Sequence, residues 1–310
     1  MDIAIETKGL TKIFGRIIAV DRLDLKVEVG TVHGFLGPNG AGKTTTIKLI
    51  LGLLKPDSGS INVLGFNGGG QRIDVRSRIG YMPELPKLPN FLKGRELLEI
   101  YSEIYGLSGM DKVNEVKRLL ELVGLRDRAN DLIGHYSKGM QQRLGLAQAL
   151  IGDPDLVILD EPSLGLDPIG MVEIREIIKK IASEGRTVFL SSHLLNEVQQ
   201  VCSHATVINK GMKIIEGSIS NLLEKLSKPN EVIIELEKVT PEIIKAIRDL
   251  SFVEKVNWIG NKAEIFCSKK GDFRADISRA IINAGGIITG MRVEERSLEE
   301  LFIELIKKRD

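Results

Sequence analysis

The sequence has little cysteine and no long apolar run. Among its 310 residues are two cysteines, Cys202 and Cys267, which lie far apart without metal-ligand spacing, so we expect reduced core residues. No apolar stretch approaches the roughly 20 residues that a membrane-spanning helix needs. The N-terminus carries Asp2 and Glu6 in place of the basic region of a signal peptide. We therefore expect a cytosolic protein that works on a membrane only through a partner.

The chain also lacks an excess of charge of either sign. It has 43 Lys and Arg against 42 Asp and Glu, for a formal net charge of +1. A nucleic-acid-binding protein usually has a strongly basic face, and the short basic run at 307–309 is expected to be a solvated end. The composition therefore predicts no nucleic-acid partner.

What the sequence does contain is a complete phosphate-binding loop. Residues 37–44 read Gly-Pro-Asn-Gly-Ala-Gly-Lys-Thr, which matches G-x-x-x-x-G-K-[ST] between a strand-like run at 31–36 and a helical run at 43–50. Glycines let the backbone aim its N–H groups at phosphate oxygens, Lys43 adds positive charge at the β- and γ-phosphates, and the Thr44 hydroxyl is placed for Mg²⁺. The predicted nucleotide-binding residues are Asn39, Gly40, Ala41, Gly42, Lys43, Thr44 and Thr45.

A second apolar strand, predicted at 156–159, ends in the two acids Asp160 and Glu161. Ligands of parallel α/β sheets gather at the carboxyl ends of the strands. Phosphoryl transfer needs charge neutralisation and a group that orients water. We therefore predict that Asp160 helps to hold Mg²⁺ and that Glu161 polarises the attacking water. Further helices are expected at 97–123 and 168–184, and a further strand at 187–190, as in a parallel sheet covered on both faces.

The segment at 136–143, Tyr-Ser-Lys-Gly-Met-Gln-Gln-Arg, opens a helical run at 141–150. It resembles the signature segment of the ABC-type ATPases, and the other markers of that family follow in the usual order over residues 1 to about 220. By this resemblance, Phe14 stacks on adenine and residues 165–167 form the loop after the catalytic Glu161. His193, just after a strand, is similar to the switch histidine that senses the γ-phosphate.

The resemblance implies an α/β fold, the P-loop NTPase of ABC type with a mixed sheet and a helical subdomain, over residues 1–222. It also implies MgATP as the ligand and a head-to-tail dimer, most simply a homodimer, in which the signature of one subunit faces the phosphate loop of the other. Ser137 and Gly139 lie at a helix N-terminus, an anion site that a partner's γ-phosphate would fill.

The sequence departs from the family pattern in two places. In the signature, Lys138 stands at the second glycine, where its charge lies near the expected phosphate, and Met140 stands at the following glutamine. Glu84 stands where the family usually has a glutamine that contacts Mg²⁺, and a carboxylate there is a possible metal ligand that would also repel phosphate. Both changes resemble a subgroup of prokaryotic exporter ATPases linked to drug or antibiotic efflux.

Beyond an expected linker at 227–230, the pattern predicts a small α+β domain over residues 230–310. Strands are expected at 231–236, 253–259, 263–267 and 287–293, with helices at 241–250, 273–284 and 297–308. The order β-α-β-β-α-β is that of a ferredoxin-like domain. The exporter subgroup often carries such a domain, ending in a helix similar to residues 297–302.

The function implied is the ATP-hydrolysing subunit of an ABC transporter, which binds ATP and Mg²⁺, dimerises, and drives a separate transmembrane permease for export. The subunit would then lie on the cytoplasmic face of the membrane. The alternative is a soluble ABC-type ATPase that is regulated through its C-terminal domain and is not coupled to transport.

Overall fold

The computed structural model describes residues 2–68, 70, 72–226, 231–268 and 271–294. The chain divides into two compact units, residues 1–222 and 223–310. In the first unit the described strands are β1 (Ile3–Phe14), β2 (Ile17–Glu28), β3 (Val32–Leu36), β4 (Ser58–Val63), β5 (Phe66–Asn67), β6 (Ile79–Met82), β7 (Leu156–Asp160), β8 (Thr187–Ser192), β9 (His204–Asn209) and β10 (Met212–Ser218). The described helices up to the boundary are α1 (Lys43–Ile50), α2 (Ile73–Arg76), α3 (Gly94–Ile104), α4 (Gly109–Leu122), α5 (Lys138–Ala149), α6 (Pro168–Ser183), α7 (Leu195–Val201) and α8 (Ile219–Leu226).

Two sheets organise the first unit. One is antiparallel with the strand order β2-β1-β4-β5, and the other has the order β10-β9-β3-β8-β7-β6. The second sheet is mixed, because β10 runs antiparallel to β9 while the other neighbouring strands are parallel. Every residue of β3, β7 and β8 is buried, as expected of parallel strands that are covered on both faces. The carboxyl ends of these three strands meet at one edge.

One hydrophobic core joins the two sheets and α1. It takes Leu10 and Leu25 from the antiparallel sheet, Phe35 and Phe189 from the mixed sheet, and Leu49 from α1. The rings of Phe35 and Phe189 lie 5.2 Å apart. This packing fixes α1 against the strands and so sets the position of the loop between β3 and α1.

The loop before α1 depends on glycine at two positions. Gly42 has a φ of +104° and precedes the first helical residue. A Cβ atom there would collide with the carbonyl oxygen of Ala19, and one at Gly37 would lie 2.6 Å from the carbonyl oxygen of Ile208. Any larger residue at either position would have to displace backbone, so this tight path requires glycine.

The region predicted to be helical over 97–123 contains two helices, α3 and α4. Gly106 adopts a φ of +84°, just after the end of α3. Its N–H donates to the Glu103 carbonyl, and the N–H of Leu107 donates to the Ser102 carbonyl. These two bonds form a Schellman motif, in which a left-handed glycine ends the helix.

The second unit contains an antiparallel sheet with the order β12-β13-β11-β14. Its described elements follow in the order β11 (Glu231–Leu236), α9 (Pro241–Arg248), β12 (Val253–Ile259), β13 (Lys262–Cys267), α10 (Arg274–Asn283) and β14 (Ile288–Glu294). Buried residues of β11 and β13 pack against Ile243 and Ile247 of α9 and against Ile277 and Ile281 of α10. The helix predicted at 297–308 lies outside the described residues.

Both cysteines are free and buried, as predicted. None of the described helices is both long and apolar enough to cross a bilayer.

Candidate functional site

A cavity of about 460 Å³ opens at the edge where the parallel strands end. The phosphate loop and α1 form one wall, and the ends of β7 and β8 form another. The lining residues are Ile17, Ile18, Ala19, Pro38, Asn39, Gly40, Gly42, Lys43, Thr44, Thr45, Glu84, Glu161, Leu164, His193 and Lys210. The structure therefore brings together most of the predicted phosphate-loop residues, both predicted catalytic residues and Glu84.

The Lys43 ammonium group is enclosed by acceptors of its own chain. Its Nζ donates to the carbonyl oxygens of Gly37 at 2.7 Å and Pro38 at 3.3 Å. It also forms an ion pair with Glu161 Oε1 at 3.0 Å, and the Lys43 and Glu161 side chains are only 7% and 9% exposed. An ammonium group has three N–H donors. Two hydrogen bonds and one ion pair of the folded chain thus surround the Nζ.

Glu161 connects Lys43 to His193. Its Oε2 lies 2.8 Å from His193 Nδ1. One carboxylate oxygen therefore contacts Lys43 and the other contacts His193. The backbone of Glu161 has a φ of +50°, which is uncommon for a residue with a Cβ atom. The N–H of Glu161 donates to Ser191 Oγ at 2.9 Å in this turn. The strained turn directs the carboxylate back over the phosphate loop.

Asp160 is buried beside Glu161 at the end of β7. Burial raises the pKa of Asp160 above its ordinary value, while the hydroxyls of Ser191 and Thr44 act in the opposite direction. Ser191 Oγ donates to Asp160 Oδ1 at 2.6 Å, whereas Oδ2 has no hydrogen-bond partner of good geometry among the described residues. A buried carboxylate oxygen without a well-formed hydrogen bond, together with the nearby Thr44 hydroxyl, supplies the kind of oxygen ligands that suit Mg²⁺.

The signature residues lie at the start of α5. Ser137 precedes the helix and its Oγ accepts from the Met140 N–H at 3.3 Å. Ser137 and Gly139 are not among the residues that line the cavity of their own chain. The exposed Lys138 side chain instead reaches the loop that follows Glu161 in its own chain. Its Nζ lies so close to Gly165 that a Cβ atom at that position would collide with it.

The helix α5 also contacts the segment that carries Glu84. The buried Gln142 side chain donates from Nε2 to the Glu84 carbonyl at 3.2 Å. A Cβ atom at Gly145 would lie 2.8 Å from Pro86 Cγ, so the helix and this segment pack without a gap. The signature helix and the backbone of Glu84 are therefore in direct contact.

Phe14 lies near this site but does not line the cavity. It ends β1, opposite Ile17 of β2, and Ile17 is one of the lining residues. The Phe14 ring is 46% exposed and lies 5.4 Å from Lys12 Nζ. Its stacking on adenine stays a prediction.

The sequence reasoning assigned no role to Ser191 or Gln142. Ser191 precedes His193 by two residues in the run that ends β8, and alternate residues of a strand share a face. This alternation is the sequence signal that could have placed Ser191 on the same face of the strand as His193. For Gln142 the sequence offers no comparable signal, because its contact is with a backbone carbonyl of a distant segment.

The fold and the cavity define a nucleotide-binding ATPase with a phosphate loop. The family model described as ABC transporter matches residues 20–164. The chain is 35% identical to the bacitracin transport ATP-binding protein BcrA of Bacillus licheniformis, over 99% of this chain and 98% of the relative. It is 36% identical to the Nod factor export ATP-binding protein I of Cupriavidus metallidurans, over 80% of each chain.

A solved ATP-binding subunit of an ABC transporter is 30% identical to this chain. It superimposes with a TM-score of 0.65 over 72% of this chain and 92% of its own. The chain belongs to the ABC transporter family, as one of its ATP-binding subunits. Subunits of this class are ATPases that power transport.

Proposed function

We propose that this subunit binds MgATP between two copies of itself and that the hydrolysis of ATP drives a separate membrane permease, for export. The observation that carries the proposal is the chain of contacts from Lys43 through Glu161 to His193, at the mouth of a complete phosphate loop. These three side chains combine a cation for phosphate, a carboxylate for water and a hydrogen-bonding group next to that carboxylate.

Lys43 would exchange its carbonyl and carboxylate partners for oxygens of the β- and γ-phosphates when ATP enters the loop. Glu161, released from Lys43, would accept a hydrogen bond from the attacking water and hold it in line with the γ-phosphate. His193 would donate to the γ-phosphate while its Nδ1 side stays next to Glu161. The backbone N–H groups of residues 39–45 would surround the remaining phosphate oxygens at the start of α1.

Thr44 and Asp160 are the residues that would hold Mg²⁺, with Glu84 as a further oxygen ligand at the edge of the cavity. Bound there, Mg²⁺ neutralises charge on the β- and γ-phosphate oxygens. Asp160 fits this role because its Oδ2 is buried without a hydrogen-bond partner among the residues described.

The second subunit would supply Ser137 and Gly139. Both lie at the exposed start of a helix of 12 residues, away from their own chain's cavity. The N–H groups there favour an anion, and the γ-phosphate of an ATP bound to the partner copy would provide one. Phe14 would cover the adenine ring from the hairpin next to the cavity.

Export as the direction of transport rests on the names of the relatives, which are a bacitracin transport protein and a Nod factor export protein. The permease would hold the subunit at the cytoplasmic face of the membrane. Family membership and these relatives favour this function over the alternative of an ATPase that is not coupled to transport.

The C-terminal domain, residues 230–310, would be a ferredoxin-like accessory domain with a regulatory role. The strand order β12-β13-β11-β14 supports this fold, since it places the first and third strands of a β-α-β-β-α-β unit at the centre of the sheet.

Calorimetry with ATP, with and without Mg²⁺, tests the nucleotide part of the proposal on the full chain. We expect binding that strengthens with Mg²⁺, and the absence of any heat with folded protein would contradict it. Affinity purification from the native host tests the transport part. We expect a multi-span membrane protein to co-purify, and recovery without one from gently solubilised membranes would contradict coupling to a permease.

A further inference from the structure

One buried hydroxyl connects the two acids of the site. Ser191, with none of its surface exposed, lies on β8 directly opposite Asp160 of β7. Its Oγ accepts from the Glu161 N–H at 2.9 Å and lies 2.6 Å from Asp160 Oδ1. Because a backbone N–H can only donate, the hydroxyl hydrogen remains available for the Asp160 carboxylate. The serine therefore holds both acids at once.

We propose that Ser191 is a positioning residue for the ATPase reaction, which sets the Mg²⁺-holding oxygen of Asp160 and the water-orienting carboxylate of Glu161 in one arrangement. The proposal rests on the function assigned above to these two acids. It adds a residue that touches neither nucleotide nor metal and acts through the groups that do.

The hydrogen bond to Asp160 decides which carboxylate oxygen is available. Oδ1 accepts from Ser191, so Oδ2 is the oxygen left without a hydrogen bond of good geometry among the described residues. Without the hydroxyl, the carboxyl group would be free to rotate and to turn either oxygen toward the metal position. The loss of this order would weaken the Mg²⁺-dependent part of ATP binding.

The hydrogen bond from Glu161 supports the left-handed turn that aims its carboxylate. At a φ of +50° the backbone of Glu161 is held in a sparsely populated conformation, and such conformations persist only where surrounding contacts enforce them. The Ser191 hydroxyl is the acceptor for the N–H of this turn. Its removal would leave a buried N–H group unpaired and would let the turn relax, which moves the carboxylate away from its place near Lys43 and His193.

Ser191→Ala in the full-length chain tests the proposal against Thr187→Ala as a matched control. Thr187 lies on the same strand, is 1% exposed, and its hydroxyl accepts from the Gly30 N–H away from the cavity. For Ser191→Ala we expect kcat to fall about 10- to 100-fold and the Mg²⁺ concentration for half-maximal ATP binding to rise about 10-fold, the range expected for a hydrogen bond to a charged group. Thr187→Ala should lower the melting temperature similarly and leave both quantities unchanged.

Two further measurements separate positioning from stability. Hydrogen exchange on the nucleotide-free protein should show faster exchange at the Glu161 amide in Ser191→Ala and unchanged exchange in Thr187→Ala. Ser191→Thr, which keeps the hydroxyl, should recover most of the Mg²⁺ dependence. If Ser191→Ala lowers only the melting temperature, with kcat, Mg²⁺ dependence and Glu161 exchange as in the wild type, the positioning role is wrong. Failure of the wild-type protein itself to bind MgATP would instead contradict the proposed function.

Discussion

Glu161 is held by a different partner at each of its oxygens, Lys43 at Oε1 and His193 at Oε2. The sequence predicted a role for each of these three residues separately, from motifs far apart in the chain. It could not predict their contacts, because an ion pair between side chains depends on rotamers that only the folded cavity selects. In the folded chain, the predicted catalytic acid therefore forms an ion pair with the predicted phosphate-binding lysine.

Glu161→Gln should retain ATP binding and accumulate an ATP-bound dimer, while hydrolysis falls at least about 100-fold. The amide keeps the shape of the side chain but cannot act as a base, and general bases contribute about 10²- to 10⁴-fold to rate. Steady-state phosphate release and size-exclusion chromatography with ATP measure both effects. Glu176→Gln is the control, since Glu176 is an exposed residue of α6 that pairs with Lys179. An unchanged hydrolysis rate for Glu161→Gln would remove Glu161 from its assigned role.

His33 should make the folded chain less stable in mild acid. Burial, and secondly the charge of His204, lower the pKa of His33 from 6.5 to about 3. Between these values the unfolded chain binds a proton that the folded chain does not, so the free energy of unfolding falls as the pH decreases below 6.5. Above pH 6.5 His33 adds no pH dependence to the free energy of unfolding.

Urea unfolding between pH 7.5 and 4.5 tests this expectation. His33→Gln removes the titrating ring but keeps a donor and an acceptor for the buried Thr206 hydroxyl, which lies 2.8 Å from His33 Nε2. The variant should lose up to about 1.4 kcal/mol of pH dependence per pH unit below 6.5. Equal pH dependence in the two proteins would show that His33 is not the source.

At the scale of the elements, contact between β6 and α5 positions the signature helix. Gly80 of β6 lies so close to the last turn of α5 that a Cβ atom would collide with the Ala149 carbonyl oxygen, and it would lie 3.1 Å from Pro154 Cγ. Separation of the strand from the helix would expose Met82 of β6, which is fully buried.

Gly80→Ala should therefore lower the free energy of unfolding by about 1–3 kcal/mol, the usual penalty for overpacking. Gly217→Ala is the matched control, because a Cβ atom there would meet only the Leu222 side chain, at 3.8 and 3.9 Å. The control should change stability by less than about 0.5 kcal/mol. Chemical denaturation of both variants measures the difference, and equal stabilities would mean that α5 moves away at little cost.

The sequence predicted elements well where local signals mark both ends. The helix predicted at 168–184 is found at Pro168–Ser183, because the Asp167 carboxylate caps its start by accepting from the Gly170 N–H and Pro168 stands in its first turn. The strands β9 and β10 were not predicted. His204–Asn209 contains polar residues at both ends, and its burial comes from pairing with the distant β3, which a local pattern does not show.

The chain divides into two units, with the boundary in the sequence after residue 222. All residues that line the cavity belong to the first unit. Each unit has a hydrophobic core formed from its own strands and helices. The first unit therefore carries the residues that line this cavity together with the core that supports them.

Truncation after Leu226 should leave MgATP binding within about threefold of the full-length value. The remaining chain keeps the phosphate loop, Asp160, Glu161 and His193 with the core that supports them. Calorimetry measures the affinity, and circular dichroism confirms that the shortened chain is folded. A folded truncation that binds no nucleotide would show that the two units share the site.

The enclosure of Lys43 has a consequence for selectivity in the cell. An exposed ammonium group in a phosphate loop would attract any of the phosphorylated metabolites that a cell contains. Here an incoming phosphate group must displace two carbonyl oxygens and a carboxylate from Lys43. A lone orthophosphate ion makes too few contacts to compensate for the loss of these interactions. A chain of linked phosphates anchored by the rest of its molecule can do so, and the enclosed lysine therefore favours a nucleotide over a single phosphate ion.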